Sequence, residues 1–152
     1  MRRLLALFTV AAVAACSDAN APNGDWTPDD TWAGQVVVTQ DIDGPRWPND
    51  AVTINAAEIR GDSLELSVQF GGGCRDHEFG LVTNGVFAES YPVQTWVKLA
   101  HDANGDMCKA LLSRVLKFDL SPLKALFNSG YQTGSGIMVI HVAPGVSVTY
   151  SW

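Results

Sequence analysis

Several things are scarce in this chain, and each absence excludes something. No apolar run reaches the roughly 20 residues that a membrane-spanning helix needs. Basic residues are few: ten Lys and Arg stand against sixteen Asp and Glu among 152 residues. That balance argues against nucleic acid and anionic lipid headgroups, which both repel an acidic surface. There is no Gly-x-Ser-x-Gly elbow, no phosphate loop and no dinucleotide fingerprint, so the common hydrolase, nucleotide and dehydrogenase signatures are missing. His77-Glu78-Phe79-Gly80-Leu81 begins like a zinc-protease helix but lacks the second His. There is no internal repeat. Cysteine is reduced to three residues, Cys16, Cys74 and Cys108.

What is present begins at the N-terminus. Arg2-Arg3 precede an apolar stretch from Leu4 to Ala15, which closes on Val13-Ala14-Ala15-Cys16. A charged start, a short apolar core and small residues before a cut site mark a secretory signal. The small-small-Cys ending resembles the bacterial lipoprotein signal, in which the Cys is acylated and becomes the new N-terminus. The resemblance implies lipidation at Cys16, with several acyl chains holding the protein to a membrane. Ser17 is not an acidic retention signal, which leans towards the outer membrane of the cell envelope. The expected organisation is a signal peptide over 1–15, a lipidated Cys and acidic tether over 16–31, and one domain over 32–152. The tether carries Asp18, Asp25, Asp29 and Asp30 with no base, and cannot bury enough surface to order itself.

From Trp32 onward the pattern is β. Leu64, Leu66, Val68 and Phe70 alternate with Glu65, Ser67 and Gln69, which places four apolar side chains on one face of a strand. Further strands are read over 35–39, 52–59, 78–83, 86–90, 93–101, 109–120, 136–142 and 146–152. Asn84-Gly85 predicts a hairpin between two of them. Ser121-Pro122 opens a short crossover helix, with Ser121 as its cap and Leu123, Leu126 and Phe127 on one stripe. Many short strands and one helix predict an antiparallel β-sandwich, immunoglobulin-like in architecture, with a β-barrel as the alternative.

Two stretches concentrate reactive side chains: Gly71-Gly72-Gly73-Cys74-Arg75-Asp76-His77-Glu78-Phe79 and His101-Asp102-Ala103-Asn104-Gly105-Asp106-Met107-Cys108. With the Phe118-Asp119-Leu120-Ser121-Pro122-Leu123-Lys124 segment, they resemble a group of uncharacterised bacterial lipoproteins carrying a Gly-Gly-Cys-x-x-His-x-Phe stretch. That resemblance spans roughly 70–124 and implies one structural unit, with no activity attached. Cys74 and Cys108 are the thiols left once Cys16 is acylated, and beyond the inner membrane they are expected to pair. The rival is zinc held by Cys74, His77, His101 and Cys108, which an oxidising compartment disfavours. His77 and His101 also form a possible polar site.

Asp102, Asn104 and Asp106 look like the first half of a calcium loop. Met107 and Ser113 stand where an EF-hand needs Gly and Glu, so that motif is excluded and a turn is the plainer reading. No cofactor is expected, with calcium the alternative. Five Trp residues raise a carbohydrate-binding reading, although Trp in sandwiches is mostly core. The function read from the sequence is a lipid-anchored envelope protein, a non-catalytic binding or structural module, with a protein or glycan partner and no nucleic acid. The alternatives are a metal- or carbohydrate-binding protein and an envelope hydrolase without a recognisable motif.

Overall fold

Alternation of apolar and polar residues decides the architecture, because period two gives each strand one inward face. In the computed structural model, which describes residues 31–152, these faces line the inside of a single nine-stranded sheet. The signal segment, Cys16 and the tether as far as residue 30 lie outside the described residues. The strands are β1 (Thr31–Val38), β2 (Thr53–Arg60), β3 (Ser63–Gly72), β4 (Glu78–Thr83), β5 (Phe87–Ala88), β6 (Val93–Asp102), β7 (Ala110–Asp119), β8 (Ile137–Ala143) and β9 (Val146–Ser151). One helix, α1 (Ser121–Tyr131), lies between β7 and β8.

The sheet runs β2-β3-β7-β1-β4-β6-β8-β9, with β5 added on β6. Its outer strands β2 and β9 lie against each other, so the sheet curls into a nearly closed barrel. This corrects the antiparallel sandwich and fits the barrel alternative. The pairing is mixed: β1 runs parallel to both β4 and β7, and β6 runs parallel to β8. A strand flanked by two parallel partners joins what would otherwise be two separate sheets into one.

The Asn84-Gly85 hairpin is also corrected. β4 and β5 both pair antiparallel with β6, at Val82↔Lys98 and Phe87↔Thr95. The turn therefore interrupts one ladder instead of folding two strands together. Thr83 and Asn84 side chains hold it by accepting the backbone N–H groups of Gly85 and Val86.

Leu64, Leu66, Val68 and Phe70 of β3 are all buried, as their alternation predicts. They meet Leu116 and Phe118 of β7, Leu81 of β4, Leu99 of β6 and Ile140 of β8 in one core. Each buried Leu contributes about 1.5–3 kcal/mol. Helix α1 adds Leu123 and Phe127 to this core, where β7 ends and β8 begins. Leu120, not Ser121, occupies the cap position, with no side-chain cap, and Asp119 before it accepts the Ser121 N–H and hydroxyl on Oδ1.

The seam between β2 and β9 is fastened at the β2–β3 turn. The buried Tyr150 of β9 donates its phenol to Asp62 at 2.6 Å, and Lys124 of α1 reaches the same carboxylate at 3.0 Å. Burial, reinforced by Asp62, pushes the Tyr150 phenol above its ordinary value, so it stays a donor.

Candidate functional site

The two reactive stretches meet at one end of the barrel. β3 runs into Gly72, where φ is +153°, and Gly73, where φ is +116°. A side chain at Gly72 would collide with the His77 imidazole, so glycine there admits the ring as well as the turn. This backbone aims three successive N–H groups, from Gly73, Cys74 and Arg75, at Oδ2 of Asp106, at 2.8, 2.8 and 3.0 Å. Such a nest binds an anion, and here the anion is the protein's own carboxylate. The Cys108 N–H reaches the other oxygen at 2.8 Å. Arg75 ties the same two segments again, donating to the Asn104 carbonyl at 2.6 Å. A disulfide joins Cys74 to Cys108 across them, with Cα atoms 5.9 Å apart. Both sulfurs are consumed, so the zinc reading loses its thiolates.

Inside this rim the two histidines face each other. His77 Nδ1 lies 2.8 Å from His101 Nε2, and His77 Nε2 lies 3.3 Å from Asp106 Oδ2. His101 Nδ1 lies 3.3 and 3.2 Å from the carbonyls of Asp50 and Ala51. Phe79 stacks on His101 with ring centroids 4.7 Å apart, and Phe70 packs against both imidazoles.

The ends of this run of contacts, backbone carbonyls and a carboxylate, only accept. His101 is neutral, donating from Nδ1 to the carbonyls of Asp50 and Ala51 and accepting on Nε2 from His77 Nδ1. Burial, with His77 adding to it, lowers the pKa of His101 below its ordinary 6.5. A second proton would set two N–H groups against each other between the rings. The N–H groups of Cys108 and Cys74 hold the Asp106 carboxyl well below its ordinary 3.8.

Both shifts have the same consequence for stability. A carboxylate with a depressed folded value adds stability above its unfolded value and loses it as pH falls. A histidine with a depressed folded value also favours the folded state until acid protonates the unfolded chain. Stability is therefore expected to decline in two limbs, the first beginning below pH 6.5 and the second below 3.8. Calorimetry across this range checks it. His101→Gln should lose the first limb, and an unchanged first limb would assign it elsewhere.

The arrangement locks the rim and offers no route to a substrate. The side chains of His77 and Asp106 are 1% and 0% exposed, and His101 is 1% exposed. The neighbouring cleft, between Trp47, Phe79, Gly80 and Asp102, holds about 80 Å³ and neither histidine lines it. Of the expected calcium residues, Asp102 gives Oδ1 to the Asn104 N–H at 2.7 Å, closing a turn. Asp106 meets the nest with Oδ2 and the Cys108 N–H with Oδ1, so Asp102 and Asp106 serve separate backbone groups. His141, on β8, is held by Ser147 and Gln94 at 2.8 Å each and takes no part in the cluster.

A second feature escaped the sequence reading. Tyr91, Val93, Phe127, Tyr131, Thr133, Ser135, Gly136, Ile137 and Trp152 line a groove of about 510 Å³. The i,i+4 spacing of Phe127 and Tyr131 was the available signal. Tyr91 and Trp152 come from other segments and only the fold brings them there.

No known family profile matches the chain, and no curated protein does. Among solved structures, the fold is similar to a toxin-related protein from Parabacteroides distasonis, with a TM-score of 0.53 and 16% identity over 80% of this chain and 61% of that one. It is also similar to a NigD-like immunity protein from Bacteroides caccae, with a TM-score of 0.52 and 15% identity over 80% of this chain and 63% of that one. The chain thus spans less than two thirds of either protein. At such identities the likeness is one of fold.

Proposed function

We propose that this chain is a lipid-anchored protein of the bacterial cell envelope whose barrel is a non-catalytic binding module. The observation that carries the non-catalytic part is the sealed rim. The densest set of titratable groups in the described residues, His77, His101 and Asp106, is buried and bonded internally. A general base must reach a substrate proton, and these do not. The anchor rests on Val13-Ala14-Ala15-Cys16, and among the described residues no helix is long and apolar enough to cross a membrane. Acylation of Cys16 would then hold the protein to the membrane, and Ser17 favours the outer one.

Replacing Cys16 tests the anchor. Cys16→Ser is expected to move the protein from the membrane fraction to the soluble one, or to stop its processing, and to abolish incorporation of labelled palmitate. Retention of label and membrane association in the variant would overturn the anchor and leave the sealed rim as it stands.

A further inference from the structure

We infer that the groove between Tyr91, Tyr131 and Trp152, at the end of the barrel opposite the histidine rim, is a binding site for a neutral saccharide. This rests on the lipid-anchored binding-module reading and names the ligand class. The groove lies at the start of β6, where Val93 sits, and the histidine rim at its end, where His101 sits. Eight residues of strand separate them, about 27 Å.

The lining names the chemistry. Tyr91, 93% exposed, forms one wall, and Tyr131, 41% exposed, forms another, leaning on Phe127 with ring centroids 4.5 Å apart. Phe127 and Trp152 meet edge to face, with centroids 5.0 Å apart, and form the floor. Gly136 lies against both: a Cβ there would come within 2.7 Å of either ring. Ser135 adds a hydroxyl, the Thr133 hydroxyl is turned onto the Ser135 carbonyl at 2.9 Å, and none of the lining residues carries a charged side chain. The nearby ammonium of Lys124, 5.9 Å from the Trp152 ring, is already paired with Asp62.

An anion would find no cation here, and a cation no carboxylate. A purely apolar ligand would shield the hydroxyls of Tyr91, Tyr131 and Ser135 from water. A saccharide presents C–H faces to stack on aromatic rings and hydroxyls to meet hydroxyls. The volume falls within the roughly 300–1,000 Å³ of small-molecule sites.

The test is affinity electrophoresis of the full-length protein in a sugar-free amine-oxide detergent, through gels containing starch, mannan, xylan or a mixed-linkage glucan. Retardation by at least one of these is expected. Tyr91→Ala and Tyr131→Ala, at exposed positions, should each weaken it about tenfold, while Trp96→Ala, an exposed Trp on the outer face of β6, should not. No retardation in any gel, or retardation that survives both tyrosine changes, overturns the inference. So does covalent capture of a protein, instead of glycan, by a photoreactive side chain placed at position 91 in intact cells. Shortening of the retained polysaccharide would instead overturn the non-catalytic reading and leave the saccharide site standing.

Discussion

Asp106→Ala is expected to lower the melting temperature by about 10 °C or more. One oxygen of this side chain accepts three backbone N–H groups and faces His77, and the other accepts a fourth N–H. Truncation takes one shared acceptor from four backbone N–H groups and from the buried His77 at once. Hydrogen bonds to a charged acceptor contribute about 1.5–3 kcal/mol each. Asp106→Asn should rescue only part of the loss. Its carbonyl can serve the nest, but its amide then meets the Cys108 N–H donor to donor. Circular dichroism on heating checks the order wild type, Asn, Ala. An unchanged melting temperature in the Ala variant would show that the nest closes without the carboxylate. Millimolar calcium should leave the wild-type value unmoved, since both Asp106 oxygens are already taken by donors; a calcium-dependent rise would return Asp102, Asn104 and Asp106 to the role of ligands.

The strands were legible wherever alternation was clean. Leu64 to Phe70 and Val146 to Trp152 show the period in their burial as well as in their sequence. What alternation does not carry is partnership. β1 sits between β7 and β4, about 80 and 45 residues further along the chain, with both pairings parallel. No local signal marks such a pairing, and the sandwich expectation followed from treating neighbouring strands as neighbours in space. Asn84-Gly85 misled for the opposite reason. Its local turn chemistry is sound, and Gly85 does take a φ of +73°. But β6 offers a longer edge than β4 and β5 offer each other.

The rim was legible in membership and not in direction. The three glycines, Cys74, His77, His101, Asp106 and Cys108 all stand out in the sequence, and all meet. A string of Asp, Asn and Asp reads equally as ligands for a cation or as acceptors for N–H groups. Which one holds depends on where the nest at Gly73–Arg75 points, and only the fold shows that. Asp50 and Ala51, whose carbonyls fix the His101 ring, gave no sequence signal because backbone oxygens belong to every residue.

Replacing both Cys74 and Cys108 with Ala should cost about 3–4 kcal/mol, from the entropy of the chain segment that the bridge closes. The 34-residue separation sets that figure in the unfolded chain. The folded chain adds a second effect, because the bridge and Asp106 hold the same two segments together. Either alone keeps Gly73 to Arg75 close to Cys108. Urea denaturation of the double-Cys variant, of Asp106→Ala and of their combination forms a cycle that measures this sharing. If the two fasteners back each other up, the combined loss exceeds the sum of the separate ones, since the last constraint on the nest then disappears. Strict additivity would mean that the nest is positioned by β3 and β7 alone, which pair as far as Gly72↔Ala110. The glycine conformations would then need no outside support, and the carboxylate would be filling a site that the backbone had already made.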